Sequence, residues 1–229
     1  MKKLYTYGCS FTQGMWEYDN TQTGEGEVSL GKKRIPFEYG TKENWGTQLA
    51  KDLNLEYINA GFEGSGPLYS ISQIQKDLAN YKKGDLVILQ LSYADRKFSH
   101  LNHLNPPHSQ QNHRDLIERT PEWIKKEKTH KLENDYICGI INALNGMGVN
   151  FYFWITQEIP EQWDFVNKYH KRRLIFDGKD TYVQWMHTEG SNIMYYDWNI
   201  EGIETPVDIH QNIVGHTAQK EIFKRQIKI

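Results

Sequence analysis

The sequence predicts a three-layer α/β/α sandwich built on a five-stranded parallel sheet. Short apolar runs alternate with amphipathic stretches, the pattern of strands joined by crossover helices. The clearest run, residues 85–92 (DLVILQLS), is almost continuously apolar, as expected of a strand covered on both faces. Polar residues able to do chemistry fall just after the predicted strands, where ligands bind in folds of this class.

Taken in order, residues 3–7 form the first strand, and residues 16–41, polar and rich in glycine and charge, read as a long insertion. Residues 44–53 (NWGTQLAKDL) carry apolar positions at helical spacing, with Asn44 as N-cap. Residues 56–60 make a second strand, and residues 67–81 a helix opened by Pro67. After the third strand, residues 93–120 are irregular, with two consecutive prolines, and read as a second insertion. Residues 121–147 are expected to be helical, 150–156 (NFYFWIT) a fourth strand, 160–173 a helix, 192–197 a fifth strand, and 213–227 the closing helix. No repeat, linker or boundary divides the chain, so residues 1–229 are read as a single domain.

Composition excludes several function classes. With 27 basic and 29 acidic side chains the formal charge is −2, which argues against an electrostatically driven nucleic-acid binder. No apolar run approaches the ~20 residues of a membrane span. The first residues are too short and polar a run for a signal-peptide core, so cytoplasmic residence is expected and no membrane partner. Cys9 and Cys138 are too few for a disulfide scaffold and lack thiolate-metal spacing. Aromatics make up 13% of the chain, which suits either an aromatic-rich core or a groove for sugar rings.

Three stretches can carry chemistry. Gly8-Cys9-Ser10-Phe11-Thr12 follows the first strand, and a serine at a strand-to-helix turn can aim its hydroxyl into a cleft; N-capping is its plainer role. Asn59-Ala60-Gly61-Phe62-Glu63-Gly64-Ser65-Gly66 follows the second, with glycines that let backbone N–H groups face an anion but at the wrong spacing for a dinucleotide fingerprint. Asp208-Ile209-His210-Gln211-Asn212 near the end offers a base and a carboxylate two residues apart. A serine nucleophile needs both: one to take its proton, the other to fix the tautomer of the base.

In order and spacing the three stretches resemble the blocks of the SGNH (GDSL-type) hydrolases. Gly8-Cys9-Ser10-Phe11 resembles the first block, with Ser10 in the nucleophile position; Asn59–Ser65 resembles the second, with Gly64 where the family places an oxyanion-hole glycine. Asp208-x-His210-x-Asn212-x-x-Gly215-His216 is similar to the Asp-x-His block. The resemblance implies a flavodoxin-like SGNH-hydrolase fold, a Ser10–His210–Asp208 triad and an oxyanion hole formed by the amides of Ser10 and Gly64, with no metal or organic cofactor. The chain departs from the family twice. Cys9 stands where an acidic residue is usual, and Ser92-Tyr93-Ala94-Asp95 lies over Gly-x-Asn-Asp, so Ala94 occupies the position of the oxyanion-hole asparagine. Losing one such donor costs on the order of 10²–10³ in rate. Either the two amides suffice, or Ser92, Tyr93 or Arg96 supplies a third donor.

The function so implied is serine-esterase hydrolysis of a short-chain acyl ester, an O-acetyl group on a carbohydrate being favoured. Trp16, Tyr18, Phe37, Tyr39, Trp123 and Trp163 are candidates for stacking on sugar rings. An O-acyltransferase with the same triad, or a catalytically weak glycan-binding module, are the alternatives. His100, His103, His108 and His113 lack carboxylate or thiolate partners at tight spacing and read as a solvated loop overhanging the cleft rather than a metal tract. His170-Lys171-Arg172-Arg173 reads as the exposed end of a helix, His216 as a packing or helix-start residue and Cys9 as structural.

Overall fold

The computed structural model describes residues 1–14, 17–18, 28–29, 32–34, 44–62, 65–92, 129–156, 164–189, 211 and 213–229. Four strands, β1 (Lys3–Gly8), β5 (Glu56–Gly61), β6 (Leu86–Leu91) and β7 (Asn150–Ile155), form a wholly parallel sheet in the order β5-β1-β6-β7. Between β1 and β5 lie α1 (Ser10–Gln13), the short strands β2 (Glu17–Tyr18), β3 (Val28–Ser29) and β4 (Lys32–Arg34), and α2 (Trp45–Asp52). The three short strands make a small antiparallel sheet, ordered β2-β4-β3, inside the expected insertion. The remaining helices are α3 (Pro67–Lys76), α4 (Thr129–Gly146), α5 (Asp164–Tyr169), α6 (Tyr182–Glu189) and α7 (Ile213–Gln226).

Alternation along the strands builds the three layers. Leu4, Leu86, Ile88 and Trp154 face Trp45 and Leu49 of α2, Tyr182, Trp185 and Met186 of α6, and Ile222 and Phe223 of α7. Tyr5, Tyr7, Val87, Leu89, Leu91, Phe151 and Phe153 face Ile71 and Ile74 of α3, Ile137, Ile141 and Leu144 of α4, and Val166 of α5. Each fully buried Leu or Ile contributes about 1.5–3 kcal/mol, so both sheet faces must be covered. The described tryptophans Trp45, Trp154 and Trp185 all belong to the core, with Trp154 edge-on to Trp45 and to Phe176.

Local signals place the helices. The Asn44 side chain accepts from Thr47 N at 2.8 Å, capping α2, and Pro67 opens α3. α3 ends at Lys76 rather than near residue 81; a 3₁₀ turn at Leu78–Asn80 follows, and Tyr81 packs edge-on against Tyr5 with its hydroxyl 2.7 Å from that of Tyr7. α5 and the 3₁₀ turn His170–Arg172 account for the helix expected over 160–173. Arg173 does not sit on an exposed end: its side chain is 6% exposed and pairs with Asp180 at 3.4 Å. α6 was not anticipated. The fifth strand expected at 192–197, and the insertion at 93–120 with its four histidines, lie outside the described residues. No helix among the described residues is long and apolar enough to cross a membrane.

Candidate active site

From β1 the chain passes to β5 on one side, and from β5 it crosses back to β6 on the other. Strand order therefore reverses between β1 and β6, and the crevice of a parallel α/β sheet opens outside the carboxyl ends of these two strands. Two residues past Gly8, the last of β1, comes Ser10, and directly past Leu91, the last of β6, comes Ser92.

Cys9 is extended (φ −90°, ψ −157°) and turns the chain from strand into α1, whose first residue is Ser10. Ser10 is 5% exposed. Gly14 closes α1 in the left-handed region (φ 87°), its amide on Ser10 O at 2.9 Å, and a Cβ there would lie 2.4 Å from Cβ of Asn44. Trp45 Nε1 donates to Phe11 O at 3.2 Å, so the start of α2 holds the serine-bearing turn from below.

The second block wraps the same strand end. Phe62 N donates to Gly8 O at 2.8 Å, and Ser65 Oγ donates to the same carbonyl at 2.9 Å. Ser92 Oγ donates to Ser65 O at 2.8 Å and is buried. Its proton thus holds the second block onto β6. Asn59 Oδ1 accepts from Gly61 N at 2.9 Å, shaping the exit from β5. Phe62 is 40% exposed at this edge, its ring 5.6 Å from that of Tyr69.

A polar network anchors the end of the Asp-x-His block. Gln211 Nε2 lies 2.8 Å from His216 Nδ1 and donates to Gln219 Oε1 at 2.5 Å; Trp45 N donates to His216 Nδ1 at 3.3 Å. Gln211, His216 and Gln219 are all buried. His216 is thus the packing residue the sequence suggests, joining the starts of α2 and α7. Asp208, His210, Gly64, Tyr93, Ala94 and Arg96 lie outside the described residues, as do Trp16, Phe37, Tyr39, Trp123 and Trp163.

Behind the serine turn Thr12, the last residue of the first stretch, meets Gln90 and Thr156, two residues that no sequence motif points to. Gln90 Oε1 accepts from Cys9 N at 3.0 Å and Thr12 Oγ1 at 2.6 Å; its Nε2 donates to Thr156 Oγ1 at 2.8 Å and Cys9 Sγ at 3.0 Å. The signal was available: Gln90 is the one polar residue in the run Leu86–Leu91. Below the cleft, burial pushes the phenols of Tyr7, Tyr57 and Tyr81 well above their ordinary range, so they remain neutral partners. Among the described residues no group of three or more His, Cys, Asp or Glu is placed to hold a metal ion.

No protein-family model matches the sequence, and no curated protein matches it. Among solved structures, the chain is similar to a protein of the G-D-S-L lipolytic family from Desulfitobacterium hafniense, at 13% identity and a TM-score of 0.54, over 99% of this chain and 100% of the other. It is also similar to an α/β hydrolase from the metagenome of Lake Arreo, Spain, at 13% identity and a TM-score of 0.51, over 98% and 94% of the two chains. A Bacillus subtilis protein matches at 15% identity and a TM-score of 0.50, over 98% of this chain and 55% of the other. These matches show the fold: the chain has the parallel α/β architecture of the SGNH hydrolases, as its sequence blocks imply.

Proposed function

We propose that the protein is a serine esterase acting on short-chain acyl esters, with O-acetyl groups on carbohydrate as the favoured substrate class. The observation that carries this reading is the position of Ser10, on a rigidly held turn at the carboxyl end of β1 where strand order reverses. The Asp208-x-His210 spacing and the anchoring of the adjacent Gln211 support a base arriving from the end of the chain. The exposed Phe62, paired with Tyr69 beside the turn, supports an aromatic surface for a sugar ring.

In this mechanism Ser10 Oγ attacks the ester carbonyl carbon as its proton passes to His210, whose imidazolium Asp208 stabilises. The amides of Ser10 and Gly64 take the negative charge on the carbonyl oxygen. Collapse of the tetrahedral adduct breaks the bond to the alcohol oxygen, which leaves with the proton from His210. Water, deprotonated by His210, then attacks the acyl-enzyme; the acid departs and Ser10 regains its proton. With Ala94 at the usual asparagine position and the Ser92 proton directed at Ser65 O, either the two amides suffice or a third oxyanion donor comes from Tyr93, from Arg96, or from Ser92 after rotation of its hydroxyl.

The test is hydrolysis of p-nitrophenyl acetate and acetylated oligosaccharides by wild type, Ser10→Ala and His210→Ala. Both variants are expected to lose at least about 10³-fold in kcat. Wild-type turnover surviving in Ser10→Ala would refute the assignment. Activity on long-chain esters that exceeds activity on acetyl esters would overturn the substrate class, and acyl transfer to an added sugar in preference to water would make the enzyme a transferase.

A further inference from the structure

A strand buried on both faces has no use for a carboxamide unless every polar atom of it is matched. Gln90 follows Leu86 and Ile88 on one face of β6, the face that builds the core with α2, α6 and α7, and it is fully buried. A leucine or methionine would continue that row, and exchanging a matched polar cluster for apolar groups of similar shape is close to neutral for stability. Here the surroundings are instead shaped around the amide. Its oxygen accepts twice and its nitrogen donates twice, and three of the four bonds go to residues 9 and 12, one on each side of Ser10. A Cβ at Gly8 would lie 2.4 Å from Gln90 Oε1 and 2.5 Å from Gln90 Cβ, so Gly8 also leaves room for this side chain.

We infer that Gln90 is the positioning residue of the site, fixing the Cys9–Thr12 turn so that Ser10 presents its hydroxyl and amide in register for acyl transfer. The inference rests on the reading of Ser10 as nucleophile. The bond from Cys9 N to Oε1 sets the peptide entering the turn, and the bond from Thr12 Oγ1 to the same oxygen sets the turn leaving it. The Ser10 peptide between them has little freedom left. Gln90 reaches the reacting atoms only through this turn. Its loss should therefore lower the rate of the chemical step and leave substrate binding alone, since misplacement of a reacting group by about 1 Å costs roughly 10²-fold.

The experiment compares wild type, Gln90→Met and Gln226→Met by p-nitrophenyl acetate kinetics and by the rate of fluorophosphonate labelling at Ser10. Gln226 is a second amide with comparable bonds, to Ile175 N, Ile175 O and Ile222 O at the far end of α7, so its replacement controls for lost stability. Gln90→Met is expected to lower kcat and the labelling rate about 10²-fold with KM changed less than about twofold; Gln226→Met is expected to leave both rates unchanged. A folded Gln90→Met that labels and turns over at the wild-type rate overturns the inference while leaving the esterase reading intact. Wild type that neither labels nor turns over ends both. Should Gln90→Met not fold, Thr12→Val removes one of the two donors to Oε1 without changing shape. It is expected to lower kcat about tenfold at constant KM, and an unchanged kcat would contradict the inference.

Discussion

Gly8 shows how one absent side chain governs the site. A methyl group there would meet Gln90 Oε1 and Thr12 Oγ1, both at 2.4 Å, and neither can withdraw without breaking the other's bond. Gly8→Ala is expected to destabilise the protein by about 1–3 kcal/mol in urea denaturation and to slow Ser10 labelling as well. The place of Ser10 just past the first strand was legible in the sequence, because residues 3–7 read as that strand. That Gln90 and Thr156 hold it was not legible, because they lie some 80 and 146 residues along the chain from Ser10 and only the sheet brings them to Thr12 and the turn, even though Gln90 stands out as the one polar residue of its strand. Tyr7 behaves similarly on the opposite face: its hydroxyl donates to Asp77 Oδ2 at 2.7 Å and lies 2.7 Å from that of Tyr81. Tyr7→Phe is expected to cost about 1–3 kcal/mol of stability without altering the labelling rate, measured on the same samples.

At the scale of elements, α2 and α7 pack together and carry charges across their seam. Lys224 and Lys220 reach Asp52 Oδ2 at 2.9 and 3.1 Å. The bond from Lys224 and then that from Lys220 hold the Asp52 carboxyl below its ordinary 3.8. A carboxylate depressed by folding stabilises the native state above its unfolded value, and that contribution disappears as pH falls through the folded one. Asp52→Asn should therefore cost up to about 1 kcal/mol at pH 7, and the difference from wild type should shrink as pH falls below the ordinary carboxylate value and vanish once the depressed folded value is passed, as thermal melts along an acid series would show. Most helices and the four strands of the parallel sheet could be read from periodicity and caps, whereas β2, β3 and β4 fell within a stretch that read only as an insertion. α6 could not, because its eight residues mix polar and apolar types too evenly. Yet Thr181 and Gln184 form a capping box, with Gln184 N on Thr181 Oγ1 at 3.3 Å and Thr181 N on Gln184 Oε1 at 3.2 Å, and this Thr-x-x-Gln signature stood in the sequence.

Across the whole molecule, two cores on either side of one parallel sheet hold the strand ends in register, and the candidate site is built where strand order reverses. The ordering of strands follows from tertiary packing that periodicity does not encode; the sequence blocks suggested it only through the resemblance they bear. Trp154 meets Trp45, Phe176, Tyr182 and Phe223, joining the sheet to α2, α6 and α7. The esterase reading makes this assembly a mounting for one hydroxyl. Its most direct test is a crystal structure of the protein after reaction with a small alkyl fluorophosphonate. The account predicts phosphorus bonded to Ser10 Oγ, a phosphoryl oxygen facing the amides of Ser10 and Gly64, and a ring nitrogen of His210 within hydrogen-bonding distance of the adduct. An unmodified Ser10, or an adduct with His210 directed away from it and no carboxylate behind the imidazole, would contradict it.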